Sequence, residues 1–286
     1  MIIYFNGKYI KEIDCKISPY DRGFLFSDGV YEVIKYTGKE FFEFESHIER
    51  LKYGLKELKI NFKEADKFFQ ISTNLLRKNH LEKKSALFYI QITRGISNPR
   101  NHLFPDKKVK PTVFASITDF ISEKQKDNKG FKVLIAEDIR WGRCDIKSTL
   151  LLPNVLARQL AYEKKYDEAV LVRDGKITEG THMSFGAIKN GCLYIPPLSN
   201  HILPGITRKV VERICKKIDI PVIKRNILIN ELTDFDEYIL MSTKSDVVPV
   251  TMIDCNKFSI HKRKRRPGKI IKKIQNELKK LIIDNG

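Results

Sequence analysis

With 286 residues, 42% of them hydrophobic and 31% charged, the chain is long enough to bury one large core or two moderate ones, which excludes a disordered polymer. No apolar run reaches the roughly eighteen residues of a membrane span, and the opening Met1-Ile2-Ile3-Tyr4-Phe5-Asn6 lacks the basic head of a signal peptide, so a soluble, cytoplasmic protein is expected. The net charge of +18 raises a nucleic-acid role, but the cations are spread along the chain, with one dense run at His261-Lys262-Arg263-Lys264-Arg265-Arg266 and no interleaved aromatics or recognisable nucleic-acid module. The charge therefore reads mainly as a solvated surface, with no membrane partner expected and a nucleic-acid role kept only as a rival reading. The five cysteines form no Cys-x-x-Cys pair, so no metal centre is expected and reduced thiols fit best.

In chain order, Asn6-Gly7 is suited to a tight hairpin because both residues accept positive φ. A second hairpin is predicted from Gly29-Val30-Tyr31-Glu32-Val33-Ile34-Lys35 through Thr37-Gly38 to Phe41-Phe42-Glu43-Phe44. A helix follows, with Ser46 as its cap and Glu49 completing a capping box, and with Ile48, Leu51, Leu55 and Leu58 on one face. Another helix near 64–78 precedes strands at Ala86 to Thr93 and Thr112 to Ile117. Between these strands, Arg94-Gly95-Ile96-Ser97-Asn98-Pro99-Arg100-Asn101-His102 is a loop by its turn formers.

The polar stretch around 121–130 reads as a linker, since nothing in it could enter a core. Residues 1–120 would form a small α+β domain, and residues 131–286 a larger one carrying Lys147. The second half opens with the strand Phe131 to Ala136 and continues with a helix over roughly 152–165. Hairpins are expected at Asp174-Gly175 and Asn190-Gly191, then a helix from Ile206 to Lys217. A terminal amphipathic helix presents Ile270, Ile271, Ile274, Leu278 and Leu281.

Chemistry enters with Lys147, in Ile139-Arg140-Trp141-Gly142-Arg143-Cys144-Asp145-Ile146-Lys147-Ser148, and with Glu179, in Ile177-Thr178-Glu179-Gly180. A lysine amine can condense with an aldehyde cofactor, and a carboxylate can hold a pyridine nitrogen protonated so that the ring draws electrons from a substrate. Together they point to pyridoxal phosphate chemistry. Cys144, three residues before the lysine, has no feature that makes it a nucleophile.

Over nearly its whole length the chain resembles the fold-type IV pyridoxal-phosphate aminotransferases, and within them it is most similar to the D-amino-acid aminotransferases. The resemblance implies that Lys147 bonds the cofactor and then moves the proton between the substrate α-carbon and the cofactor, and that Glu179 partners the pyridine nitrogen. It implies that Arg50, in His47-Ile48-Glu49-Arg50-Leu51, grips the phosphate with its guanidinium fork. Ile206 and Thr207 would add backbone N–H groups at a helix start, Thr243 a hydroxyl, and Leu203 an apolar face against the ring. Tyr31, Arg100 and His102 match the residues that clamp the substrate carboxylate, with the Arg100-x-His102 loop supplied by the partner subunit of a homodimer.

The implied reaction takes an amino group from a D-amino acid, such as D-alanine, to 2-oxoglutarate, giving pyruvate and D-glutamate. A branched-chain L-amino-acid aminotransferase or an aminodeoxychorismate lyase would use the same lysine and glutamate, and the Arg100-x-His102 loop argues against both. A basic nucleic-acid-binding protein is the rival from another class. One departure stands out: Glu179-Gly180-Thr181-His182-Met183-Ser184-Phe185 carries Ser184 where the family commonly has asparagine, and His182 has no assigned role.

Overall fold

Asn6 and Gly7 take the positive φ that the hairpin needs (46° and 89°) and join β1 (Ile2–Phe5) to β2 (Lys8–Lys11). The computed structural model describes residues 1–120, 130–255, 260–264 and 268–284. The expected linker, apart from Gly130, lies outside the described residues, as do the side chains of the basic run at 261–266. The described residues form two compact units: one takes in residues up to 120 together with Ile146–Leu150, the other the remainder.

In the first unit, β3 (Gly29–Tyr36), β4 (Ala86–Thr93) and β5 (Thr112–Asp119) join the first hairpin in an antiparallel sheet of order β2-β1-β5-β4-β3. A short helix, α1 (Arg22–Phe26), is capped by Asp21, whose carboxylate accepts from the Gly23 N–H. The longer helices α2 (Phe44–Glu57) and α3 (Phe68–Lys78) complete the unit. Ile48, Leu51 and Leu55 are buried on α2 as their spacing predicts. Phe68 and Phe88 are fully buried, each adding about 2–3 kcal/mol relative to exposure.

The predicted return strand at Phe41 to Phe44 does not form. Phe41 makes only an isolated bridge to Tyr36, and α2 already begins at Phe44, before the expected cap. The aromatic rings decide this: Phe41 packs on Phe44, Phe69 and Phe88 at centroid distances of 5.7, 6.5 and 6.0 Å, a cluster that a flat strand could not gather. Ser46 consequently sits inside the helix, where its hydroxyl donates to Glu43 at 3.1 Å instead of capping.

β3 is an edge strand, and its open edge is taken by the segment Ile146–Leu150. The Tyr31 N–H donates to the Lys147 carbonyl and the Thr149 N–H to the Gly29 carbonyl, both at 3.0 Å, with Val30 bridging Ser148. These bonds satisfy backbone groups that an edge would leave open. Gly54 on α2 leaves room for the approach, since a Cβ there would meet Val30 at 3.0 Å and Ile146 at 3.6 Å. Lys147 therefore belongs with the first unit, and not with the second domain as the sequence leads one to expect.

The second unit is built on β6 (Phe131–Glu137), β7 (Glu168–Arg173), β8 (Lys176–Gly180), β9 (Ser184–Lys189), β10 (Cys192–Ile195), β11 (Val222–Lys224), β12 (Glu237–Ser242) and β13 (Asp246–Cys255). Their order is β11-β10-β9-β12-β13-β6-β7-β8, with β14 (Ile260–Lys264) also pairing β13. Alternate residues of the strands, including Val133 and Ile135, Val170 and Val172, Phe185 and Ala187, and Tyr238 and Leu240, share one core. β6 and β7 are parallel, and α4 (Leu152–Glu163) makes the crossover, packing through Ala161 and Ala157. Helix α5 (Ile206–Lys217) contacts α6 (Lys269–Asp284), which buries Ile271, Ile274 and Leu278 as predicted. No helix among the described residues is long and apolar enough to cross a membrane. The class is α+β, as the sequence implies.

Candidate active site

Edge pairing on β3 decides where the lysine stands: Lys147 Nζ lies 4.3 Å from the ring centroid of Tyr31. Tyr31 in turn stacks on Tyr89 at 5.9 Å. The neighbouring residue Glu32 is wholly buried and faces α2, where its carboxylate accepts from Arg50 Nε at 2.7 Å and Nη2 at 2.9 Å, with His47 Nδ1 at 2.8 Å. Burial alone would raise the Glu32 carboxyl, but Arg50 and then His47 hold it well below the ordinary carboxylate range. The fork of Arg50, expected to grip a phosphate, is thus turned to Glu32. Sequence patterns do not single out Glu32 and His47; their one signal is position, one residue after Tyr31 and three before Arg50.

Arg100 and His102 stand together on the ring of Phe26. Arg100 sits 4.4 Å over the Phe26 ring, and the His102 ring is 5.2 Å from it. Both side chains are exposed, and no hydrogen bond, ion pair or ring contact among the described residues joins either to Tyr31 or Lys147. Their loop is pinned from beneath: buried Arg22 donates to the Asn101 and Leu103 carbonyls at 2.6 and 3.2 Å, while Asp28 holds both Arg22 and Arg94.

The second unit holds Glu179 at the end of β8. Its carboxylate accepts a hydrogen bond from Arg140 Nη1 and lies 3.3 Å from the Leu203 N–H. Burial pushes the Glu179 carboxyl up and Arg140 pulls against it, the net direction being upward. Arg140 is itself clasped by Asp138, which also takes the Thr178 hydroxyl at 2.9 Å, and Arg140 remains charged. Neither Arg140 nor Asp138 is marked out by the sequence, because a charge at a strand end carries no sign of its partner. Cys144 is buried and its thiol is pushed up to about 11, which keeps it protonated and inert at neutral pH.

Asp138 gives a pH test. Burial would raise it, but Arg140 and Thr178 hold it down at about 2, against an ordinary value of 3.8. A depressed carboxyl contributes stability that is complete above its unfolded value and lost as pH falls through the folded one. Acid melts should therefore show the protein losing about 2 kcal/mol between about pH 4 and pH 2 that an Asp138→Asn variant does not lose.

Leu203 leads into the start of α5, where Ile206 and Thr207 are buried and Gly205, at the cap, contributes no side chain to the first-turn N–H groups. A Cβ on Gly205 would fall 2.5 Å from Ser184 Oγ, so the glycine and the small serine are needed together. Arg208, one residue on, is buried and donates from Nε to Glu212 at 3.1 Å, while its Nη2 has no hydrogen-bond partner among the described residues. Thr243 lies half-buried in the turn between β12 and β13. Contacts thus link Glu179 to Leu203, at the start of the run that holds Ile206 and Thr207. Lys147 and Tyr31 meet in the first unit, with Arg50 bound next to them through Glu32.

The amino-transferase class IV family model matches residues 29–253. The chain belongs to that family. Among class IV aminotransferases it is similar to the D-alanine aminotransferase of Staphylococcus haemolyticus, 37% identical over 253 residues that cover 88% of this chain and 89% of the relative. It is also similar to that of Listeria monocytogenes serotype 4b, 34% identical over 89% of this chain and 88% of the relative. In fold it matches the branched-chain amino acid aminotransferase of Escherichia coli (TM-score 0.87, 22% identity, 98% of this chain and 94% of that one). A second fold match is the T.th. branched-chain amino acid aminotransferase complexed with N-(5'-phosphopyridoxyl)-L-glutamate (TM-score 0.86, 20% identity, 100% of this chain and 95% of that one). The fold is accordingly fold-type IV, and the chain is a pyridoxal-phosphate-dependent transaminase.

The residues present fit that cofactor. A buried carboxylate fixed by an arginine suits a protonated ring nitrogen, and a helix start whose cap residue offers no side chain to the first-turn N–H groups suits a phosphate. The lysine half-buried over an aromatic ring suits an aldehyde.

Proposed function

We propose that this class IV aminotransferase moves the amino group of a D-amino acid, D-alanine foremost, to 2-oxoglutarate, releasing pyruvate and D-glutamate in the cytoplasm. The observation that carries the reading is Lys147 Nζ, set 4.3 Å from Tyr31 by edge pairing, in a chain 37% identical to a D-alanine aminotransferase. The branched-chain neighbours, at 20–22% identity, speak to fold and not to substrate.

When bound, pyridoxal phosphate supplies an aldehyde for the substrate's amino group and a ring that draws electrons from its α-carbon. Lys147 Nζ would hold the cofactor at rest and, as a free amine, would take the proton from the substrate α-carbon and deliver it to the cofactor's aldehyde carbon. Glu179 would keep the pyridine nitrogen protonated by offering it an ionised acceptor, a state that Arg140 favours against the push of burial. The Ile206 and Thr207 N–H groups, the Thr243 hydroxyl and Arg50 would hold the phosphate, and Leu203 would pack on the ring. Arg100, His102 and Tyr31 grip the substrate carboxylate, which determines the hydrogen that faces the lysine and hence the isomer used.

The protein is a homodimer in this reading, with the Arg100-x-His102 loop given to the partner. Two features support it: Arg100 and His102 stand exposed with no hydrogen bond or ring contact to Tyr31 among the described residues, and α4 carries an uncovered apolar face. Leu152, Val155, Leu156 and Leu160, spaced by three or four residues or adjacent, are exposed by 65, 58, 53 and 39%.

Purified holoprotein given 2-oxoglutarate and either D- or L-alanine should release pyruvate from the D isomer and none from the L isomer. Pyruvate from L-alanine alone would reverse the stereochemical assignment. Oxo acid from L-leucine at a higher rate than from D-alanine would make it a branched-chain enzyme.

A further inference from the structure

The turn that follows Glu179 is tied to a buried carboxylate that the transamination scheme leaves unused. Glu168, at the start of β7, is fully buried, and its Oε1 accepts from the Ala169 N–H at 2.8 Å, the Thr181 N–H at 3.2 Å and the Thr181 hydroxyl at 2.5 Å. Its Oε2 has no aligned hydrogen bond among the described residues, and His182 Nδ1 stands 2.8 Å away. The same Nδ1 is 3.1 Å from the Thr181 hydroxyl. On the opposite side Asn154, from α4, donates to the Thr181 carbonyl at 2.6 Å, and the turn is closed by the Gly180 N–H on the Met183 carbonyl at 2.6 Å.

A buried charge costs several kcal/mol unless it is paired and bonded, so a carboxylate placed here must hold something in return. Apart from the N–H of its own neighbour Ala169, everything it holds lies within three residues of Glu179. A functional carboxylate has to be kept within about 0.5 Å of its working position, and a strand end followed by a glycine cannot hold that alone. We propose that Glu168, with the His182 ring against its second oxygen, is a positioning residue: it fixes the Gly180–Met183 turn and thereby aims the Glu179 carboxylate at the cofactor's ring nitrogen. This rests on Glu179 having that role. His182, which the sequence leaves unassigned, acts through Glu168 and not on the substrate.

The test uses holoenzyme loaded with cofactor labelled with nitrogen-15 in the ring, in the unmodified protein and in Glu168→Gln, His182→Ala and Glu179→Gln. Glu168→Gln should move the ring-nitrogen resonance from the protonated toward the neutral position and weaken cofactor binding about tenfold, read by equilibrium dialysis. It should lower kcat and leave KM for the amino acid unchanged. His182→Ala, at a side chain 49% exposed, should shift both readouts the same way by a smaller amount, and it decides the matter should Glu168→Gln not fold. If Glu179→Gln moves the resonance while Glu168→Gln and His182→Ala leave resonance and affinity as in the unmodified protein, the positioning role is wrong and the reading of Glu179 stands. If Glu179→Gln itself has no effect, both fall.

Discussion

Replacing Lys147 by alanine is expected to cut transamination at least a thousandfold, roughly what a lost proton-transferring base removes, and to abolish the absorption above about 400 nm of lysine-bound cofactor. The protein should nevertheless fold. Lys147 joins β3 through its carbonyl, which accepts from Tyr31, and an alanine retains that bond. What disappears from the free protein is the amine's contact with the Tyr31 ring, worth about 0.5–1 kcal/mol at a partly exposed site. A variant with unaltered melting behaviour, visible absorbance and residual turnover within tenfold of the original would refute the assignment of Lys147.

Glu32→Ala is expected to produce the largest loss of stability, about 3–5 kcal/mol in denaturant melts. The reason is asymmetric. The carboxylate lies between Arg50 and His47 with no exposure, so its removal deprives a buried guanidinium of two hydrogen bonds at once. Glu32→Gln keeps shape and one acceptor and should lose less. Both variants should bind cofactor more weakly, because the orientation of Arg50 is set by Glu32 and not by its own helix. Cofactor affinity equal to that of the unmodified protein would mean that Arg50 takes no part in holding the phosphate.

Local patterns make much of this molecule legible from its residues alone. The turns at Asn6-Gly7, Asp174-Gly175 and Asn190-Gly191 all carry positive φ, because few other residue pairs tolerate it. The buried faces of α2 and α6 follow from spacing alone. Legibility fails where tertiary contacts outweigh local preference. Phe41 to Phe44 has strand composition yet is drawn into an aromatic cluster, and Ser46, a good cap by type, loses that position to a helix that starts earlier. The strands β11, β12 and β13 escape sequence patterning altogether, since a core strand such as Tyr238-Ile239-Leu240 has no period of its own to separate it from a buried helix.

Within the site, residues with a sequence neighbourhood of their own can be named in advance. Those defined by a partner far along the chain cannot. Arg140 matters because it meets Glu179, and Glu168 because it meets Thr181; both relations exist only after β7 and β8 have paired. Arg50 shows the complementary case, a residue of the expected type whose orienting partner, Glu32, its own neighbourhood does not announce.

The short stretch Ile146–Leu150 has a bearing on any attempt to divide the polypeptide. A fragment cut after residue 120 would look like a whole domain by its helices and sheet, yet it would lack the strip that covers the outer rim of β3. Its bare amide row would offer itself to other copies, and such a piece should precipitate or form stacked oligomers. Supplying a synthetic peptide of residues 144–152 in trans should keep it in solution, and shuffling between homologues will succeed only when this strip travels with the amino-terminal half.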